Sequence, residues 1–302
     1  MAEVNYASLY GRALQQKYTN ELKFGALYNT PNNNNLRWTG AKTVQIPRIT
    51  TGGFTDVNRD VVSGYTRRAD NEWEPKTIAH DREYSTLVDP EDIDETNMAL
   101  SISNITNVFN TEHKIPEMDK YASSKLYSEF VDLGGVVNTE TLDESNVLAV
   151  FDEFMENLDE AEAPQEGRIL YVTPAVYTLL KNAEQVQRML QVRDAGSAVN
   201  RAVHSLDDVE IVRVPSSRMK SAYDFSDGAV ADEGAENINM ILIHPSAVVT
   251  PQKYDFVSLD EPSAKTSGKY LYYERKYWDL FILSAKVGGV QINATNTAGT
   301  GE

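Results

Sequence analysis

Apolar and polar residues alternate through Thr43-Val44-Gln45-Ile46-Pro47-Arg48-Ile49, and a second alternating run extends from Trp73 to Val88. Strand side chains point to opposite faces in turn. The second run therefore puts Lys76, Ile78, His80, Arg82 and Tyr84 on one face and Thr77, Ala79, Asp81, Glu83 and Ser85 on the other. Neither face is cleanly apolar. The pair reads as a long two-stranded ribbon over Thr43–Asp92, and an isolated hairpin is marginal in water. Such a ribbon needs a partner, and the plainest one is another copy of the same chain.

Upstream, residues 1 to 29 carry a weak helical pattern through Leu9, Ala13, Leu14 and Lys17, followed by the polar run Pro31-Asn32-Asn33-Asn34-Asn35. This predicts an arm with a hinge, with Asn33 and Asn34 as hinge residues. Gly52 and Gly53 are expected to form a second hinge beside the ribbon tip. Arg59, Arg67 and Arg68 lie at that tip among Asp56, Asp60, Asp70 and Glu72. Mixed signs on a projecting tip suit contact with a complementary protein surface. The candidate contact residues are thus Arg59, Arg67, Arg68, Asp70, Glu72, Lys76 and Arg82.

After Asp89-Pro90 the period becomes helical. Met98, Ile102, Ile105 and Phe109, then Met118, Ala122, Leu126, Phe130 and Leu133, recur at spacings of three and four until Gly134-Gly135. One helix kinked at Pro116, or two end to end, is expected over residues 93 to 133. An α/β region follows. It should contain a helix at Leu148–Leu158, a buried strand at Arg168–Thr173, a helix at Val176–Leu190, and strands at Asp208–Val214 and Ile238–Ile243. A polar excursion fills Ser216–Ala235, and two long strands are expected over Tyr270–Ile292, the second around Ala285-Lys286-Val287.

Composition narrows what such a chain does. With 302 residues, 41% of them apolar, it can bury a real core. Twenty-eight basic against 45 acidic residues give a net charge of −17, which repels nucleic acid but suits coexistence with packed DNA. The absence of cysteine excludes disulfides and thiolate chemistry. No basic segment leads an apolar run, and no stretch of about 18 apolar residues occurs, so neither a signal peptide nor a membrane span is expected.

The residues offer no catalytic or cofactor motif. The four histidines, at 80, 113, 204 and 244, lack metal-ligand spacing. His80 and Asp81 are sequence neighbours on a strand and face opposite ways. Gly268-Lys269-Tyr270 lacks the upstream Gly and the Ser or Thr of a phosphate loop. The acidic run from Asp89 to Glu95 lacks the Gly of a calcium loop and fits a helix N-terminus. The expectation is therefore no enzyme, no cofactor and no metal.

Five segments then point to a family. Ile115-Pro116-Glu117-Met118-Asp119-Lys120-Tyr121 with Ser124-Lys125-Leu126, Arg168-Ile169-Leu170-Tyr171-Val172-Thr173-Pro174, Val212-Arg213-Val214-Pro215-Ser216-Ser217-Arg218, Ile243-His244-Pro245-Ser246-Ala247-Val248 and Tyr277-Trp278-Asp279-Leu280-Phe281 resemble, in order, segments of tailed-bacteriophage major capsid proteins from siphophages of Gram-positive hosts. The order of parts resembles their Hong Kong 97-type fold. That resemblance implies an α+β chain with an N-terminal arm at 1–42, an extended loop at 43–92, a peripheral domain with a spine helix at 93–136 and 266–295, an axial domain at 137–265, and a tail at 296–302. It implies a structural subunit that self-assembles, as pentamers and hexamers, into an icosahedral head shell around double-stranded DNA without specific binding. Scaffolding and portal proteins would be separate chains, since no room for a cleaved scaffolding segment precedes the ribbon. The particle would be a virion component, assembled in the host bacterial cytoplasm. The alternatives are an encapsulin-like nanocompartment shell and, more remotely, an α/β enzyme or binding module using the Ser216–Ala235 excursion. Loop lysine cross-linking is not carried over, because Lys76 is the only ribbon lysine and lies on the returning strand.

Overall fold

A computed structural model describes residues 21–40, 42–54, 69–91, 102–183, 203, 205–226 and 228–295. Its centre is a five-stranded sheet in the order Val290–Thr295, Asn237–Ile243, Ile169–Val172, Val209–Arg213 and Ser205–Leu206. Ile169–Val172 runs parallel to Val209–Arg213, and the other pairings are antiparallel. Continuous apolar runs mark strands buried on both faces, and each face here has its own helical layer. Leu170, Val172, Met240 and Leu242 face the helices Val147–Glu160 and Pro174–Asn182, through Phe151, Phe154, Leu158 and Leu180. Tyr171, Ile241, Ile243 and Ile292 join the cluster that holds Ala122, Leu126 and Phe130 of the long helix.

That long helix is one element with a local change of pitch. Ile102–Phe109 leads into a π-helical turn, Asn110–Lys114, and then into Ile115–Asp132. Pro116 explains the turn. It has no N–H to give to the carbonyl four residues back. The amide of Ile115 instead bonds Asn110 O, and the widened turn absorbs the mismatch. At the other end, Gly134 (φ 82°) donates to Val131 O at 3.0 Å and Gly135 to Phe130 O at 2.8 Å, closing the helix with a Schellman motif.

The expected ribbon divides in two. Thr43–Thr51 pairs antiparallel with Ala69–Thr77, from Thr43↔Thr77 to Thr51↔Ala69. The continuation, His80–Val88, leaves the ribbon and pairs with Tyr270–Trp278 in a separate three-stranded sheet completed by Gln252–Asp260. The reading of Thr43–Asp92 as one hairpin without an internal partner is corrected accordingly. Alternation runs through the joint at Ile78-Ala79 without a Gly or Pro to mark it, and the true partner lies about 190 positions away in sequence. Ile78 turns inward and is buried. Its amide bonds Lys42 O at 2.8 Å, and the Ala79 amide bonds Asp279 Oδ2 at 2.9 Å.

Of three smaller expectations, one changes and two fall partly outside the described residues. Residues 284–289 form a 3₁₀ helix, so the last strand is Val290–Thr295, and it pairs with Asn237–Ile243 at the edge of the central sheet. The helix expected at Val176–Leu190 is described over Pro174–Asn182, and 184–190 lie outside the described residues. Most of the expected N-terminal helix lies outside them too; what is described is one turn, Gly25–Tyr28, with Phe24, Leu27 and Tyr28 buried.

Candidate functional site

The apolar phase of the outgoing ribbon strand sets where its docking ends. Val44 and Ile46 point inward and are buried with Val249 and Phe281, with Leu36 and Trp38 packed beside them. The next residue in that phase is Arg48, and there the inward face ceases to be apolar. Pro47 through Phe54 and Ala69 through Glu72 are all exposed. Ile49, in the opposite phase, is 73% exposed, and Phe54 is fully exposed. The ribbon is thus anchored at its base and, along its described outer half, lies open.

The candidate contact residues separate along this line. Arg59, Arg67 and Arg68 lie outside the described residues. Asp70 and Glu72 stand on the exposed half, Glu72 opposite Arg48 in the ladder. Lys76 sits near the anchored base, 3.1 Å from Glu74 and over the Phe281 ring. Arg82 is a correction. Its Nε donates to Glu117 Oε1 at 2.6 Å and its Nη1 to Phe225 O at 2.6 Å, so the guanidinium is committed inside the chain. It sits past the joint, on the strand that the ribbon reading had extended too far.

The hinge candidates stand in different surroundings. Residues 31–35 form a 3₁₀ helix whose side chains clasp the segment 245–250. Asn32 Nδ2 donates to Ser246 O and Val248 O, at 2.8 and 2.9 Å. Asn33 Oδ1 accepts from the Thr250 amide at 2.8 Å while its Nδ2 donates to Tyr28 O. Thr30 Oγ1 adds a bond to Pro245 O. A run of asparagines signals irregular backbone, and here that backbone is fixed by side-chain amides. Asn34 is exposed. Gly52 and Gly53 are exposed, and a Cβ on Gly53 would meet only open space, so the backbone at Gly53 does not require glycine.

A second open surface lies on the three-stranded sheet. Gln252–Asp260 is an edge strand, and Phe256, Val257 and Leu259 on it are 42%, 55% and 49% exposed. Leu87, on the strand at the other edge, is also exposed. Charge near the ribbon base is tightly paired. Asp81 lies between Lys42 Nζ (3.0 Å) and a two-pronged Arg275 (3.1 and 2.9 Å), which holds its carboxyl below the ordinary range. At Glu117 burial acts to raise the carboxyl, but hydrogen bonds from His80 and Arg82 outweigh it and lower it.

Between the long helix and this sheet lies a cavity of about 560 Å³, lined by Phe109, Glu117, Lys114, Glu274, Arg82 and Trp278 among others. Two ion pairs line it: Lys114 with Glu274, and Arg82 with Glu117. His80 is a core residue, stacked on Tyr121 at 4.0 Å and edge-on to Trp278. Among the described residues no three His, Asp or Glu side chains stand close enough to share a metal ion. Among the described residues, most of the exposed large apolar side chains thus gather on two open faces, the outer ribbon and the edge of the three-stranded sheet. Ile49, Phe54, Phe256, Val257 and Leu259 were missed as contact candidates, although the change of phase at Arg48 was a usable signal for Ile49.

No protein-family profile matches the sequence, and no curated protein does. Solved structures do match in shape over most of the chain. The capsid of the cyanophage P-SCSP1u aligns with a TM-score of 0.65 at 12% identity, over 93% of this chain and 89% of that one. The mature capsid of bacteriophage PhiM1 aligns at 0.62 and 14%, over 86% and 83%. The head of Helicobacter pylori bacteriophage KHP40 aligns at 0.56 and 12%, over 94% and 93%. The mixed helix-and-strand architecture described above is the fold of phage capsid structures.

Proposed function

We propose that this chain is the major capsid protein of a tailed bacteriophage, a structural subunit that closes with copies of itself into an icosahedral head shell around double-stranded DNA. The observation that carries the reading is the ribbon: a nine-residue-pair ladder that, among the described residues, is anchored at its base, with Ile49 and Phe54 held out in solvent. Soluble monomers seldom present large apolar side chains on a projecting element without a partner for them. A closed shell supplies that partner many times over, because symmetry repeats each modest contact. The capsid fold supports the same conclusion.

In this reading residues 1–42 form the arm, 43–77 the extended loop, and the helix through Asp132 the spine of a peripheral domain shared with His80–Val88 and Tyr270–Trp278. Residues of roughly 137 to 265, with Val290–Thr295 added to their sheet, form the axial domain around pentamer and hexamer axes. The net charge of −17 keeps the inner wall from adhering to packed DNA. Scaffolding and portal functions belong to separate chains, and assembly takes place in the host bacterial cytoplasm. Co-expression of the chain with its scaffolding partner, followed by sizing and negative-stain microscopy, tests the reading. Closed shells are expected, and DNA-filled particles with a portal are expected from infected cells. A chain that stays monomeric under those conditions contradicts it.

A further inference from the structure

One turn of the long helix, Glu117 to Tyr121, touches both the described N-terminal segment and the joint of the ribbon. On the ribbon side, Tyr121 Oη donates to Asp279 Oδ1 at 2.7 Å, and Asp279 Oδ2 accepts the Ala79 amide at 2.9 Å. Tyr121 also stacks on His80, and Glu117 binds Arg82. Positions 79, 80 and 82, which follow directly on the ribbon's returning strand, are thus all held from this turn, Ala79 by way of Asp279. On the arm side, Tyr28 Oη donates to Met118 O at 2.9 Å. The fully buried Asp119 accepts from the amides of Lys23 and Phe24, at 3.0 and 3.1 Å, and from Arg218 Nη1 at 2.8 Å.

The same turn begins the regular part of the helix. Immediately upstream are the π-helical turn Asn110–Lys114 and Pro116, where the ladder of i to i−4 bonds is interrupted. Interrupted ladders are where helices bend. Downstream, the segment to Asp132 is continuous. A tilt of that segment about the π turn therefore carries the seats of the arm and of the ribbon joint together.

We propose that the Glu117–Tyr121 turn couples the N-terminal segment to the ribbon within one chain, so that loosening the seat of either loosens the other. The contacts lie within a single chain, and the inference stands whether or not the chain forms shells. Coupling of this kind is reciprocal, and that supplies the test. Hydrogen–deuterium exchange is measured on the full chain in one fixed assembly state, for wild type, Asp119→Asn and Tyr121→Phe. Asp119→Asn should raise exchange severalfold not only at Lys23–Tyr28 but at Ala79–Arg82, which Asp119 does not touch. Tyr121→Phe should raise it at Ala79–Arg82 and equally at Lys23–Tyr28. The amides of Ile169–Val172 in the central sheet report global destabilisation. A rise confined to the altered side, or one at the far side no larger than at Ile169–Val172, overturns the proposal. Phe24→Leu, which trims the arm's packing and leaves both carboxylates in place, serves in place of Asp119→Asn should that variant not fold, with the same two outcomes.

Discussion

The Arg218 guanidinium meets the Asp119 carboxylate at 2.8 Å with both side chains almost wholly out of water. Burial pushes the Asp119 carboxyl above its ordinary range, against the Phe24 amide, Arg218 and the Lys23 amide, whose hydrogen bonds act the other way. Removing one partner of such a pair leaves the other charge buried and uncompensated, which costs about 3–5 kcal/mol. Arg218→Ala is therefore expected to lower the free energy of unfolding by that amount, read from the denaturant midpoint at constant slope. A change within about 0.5 kcal/mol, typical of surface sites, would contradict the pairing.

The two phases of the outgoing ribbon strand make opposite predictions. Ile46 is buried at the base, so Ile46→Ala should cost about 2–5 kcal/mol of chain stability. Ile49→Asp, three residues further out at an exposed site, should leave the unfolding midpoint nearly unchanged and yet abolish assembly. Thermal melts of unassembled chain and sizing of assembly reactions measure the two separately.

His244 gives a pH dependence. Burial lowers its pKa below 6.5, while the bond to Glu166 O opposes this and the Lys286 and Arg168 charges add to it. The ring accepts from the Ser246 amide at Nδ1 (3.2 Å), and Nε2 lies 3.1 Å from Glu166 O, which fits the neutral Nε2–H form. A depressed folded pKa means that the unfolded chain takes up its proton first. The stabilising contribution is then complete above about pH 6.5 and is lost as pH falls from there through the folded value. Melting temperature should accordingly drop between pH 7 and 5 more steeply in wild type than in His244→Gln; parallel curves would remove His244 as the cause.

Gly135 has an ordinary φ, yet a Cβ there would lie 2.4 Å from Phe130 Cε2. Gly135→Ala should destabilise by about 1–3 kcal/mol through overpacking. Combined with Phe130→Leu, which clears the ring edge, it should cost less than the sum of the single changes. Additive losses in denaturant melts would place the strain elsewhere.

Much of the fold is written in short-range pattern. The helix through Phe130 and its stop at Gly134 follow from the three-and-four spacing and a left-handed cap, Ile169–Val172 from an unbroken apolar run, and Asn237–Ile243 from the apolar run Met240–Ile243 at its end. What pattern does not carry is partnership at long range. His80–Val88 alternates as smoothly as the ribbon before it, and only its pairing with Tyr270–Trp278 shows that the chain has turned a corner. Asn33 reads as a hinge because asparagine favours irregular backbone; its side-chain bonds to Thr250 and Tyr28 are invisible to that pattern. Arg82 reads as a free charge on a projecting strand until Glu117, 35 residues on, is placed beside it. The open surface was legible in location and not in residues: Ile49 is visible once the inward phase stops at Arg48, but Phe256, Val257 and Leu259 need the sheet order that makes their strand an edge.

The central claim is that the outer half of the ribbon works between chains. A cryo-electron microscopy map of assembled particles, at a resolution that shows side chains, tests it most directly. The account predicts Ile49 and Phe54 buried against a neighbouring copy of the chain in every quasi-equivalent position. Closed particles in which the ribbon beyond Pro47 stands free of every neighbour would contradict it.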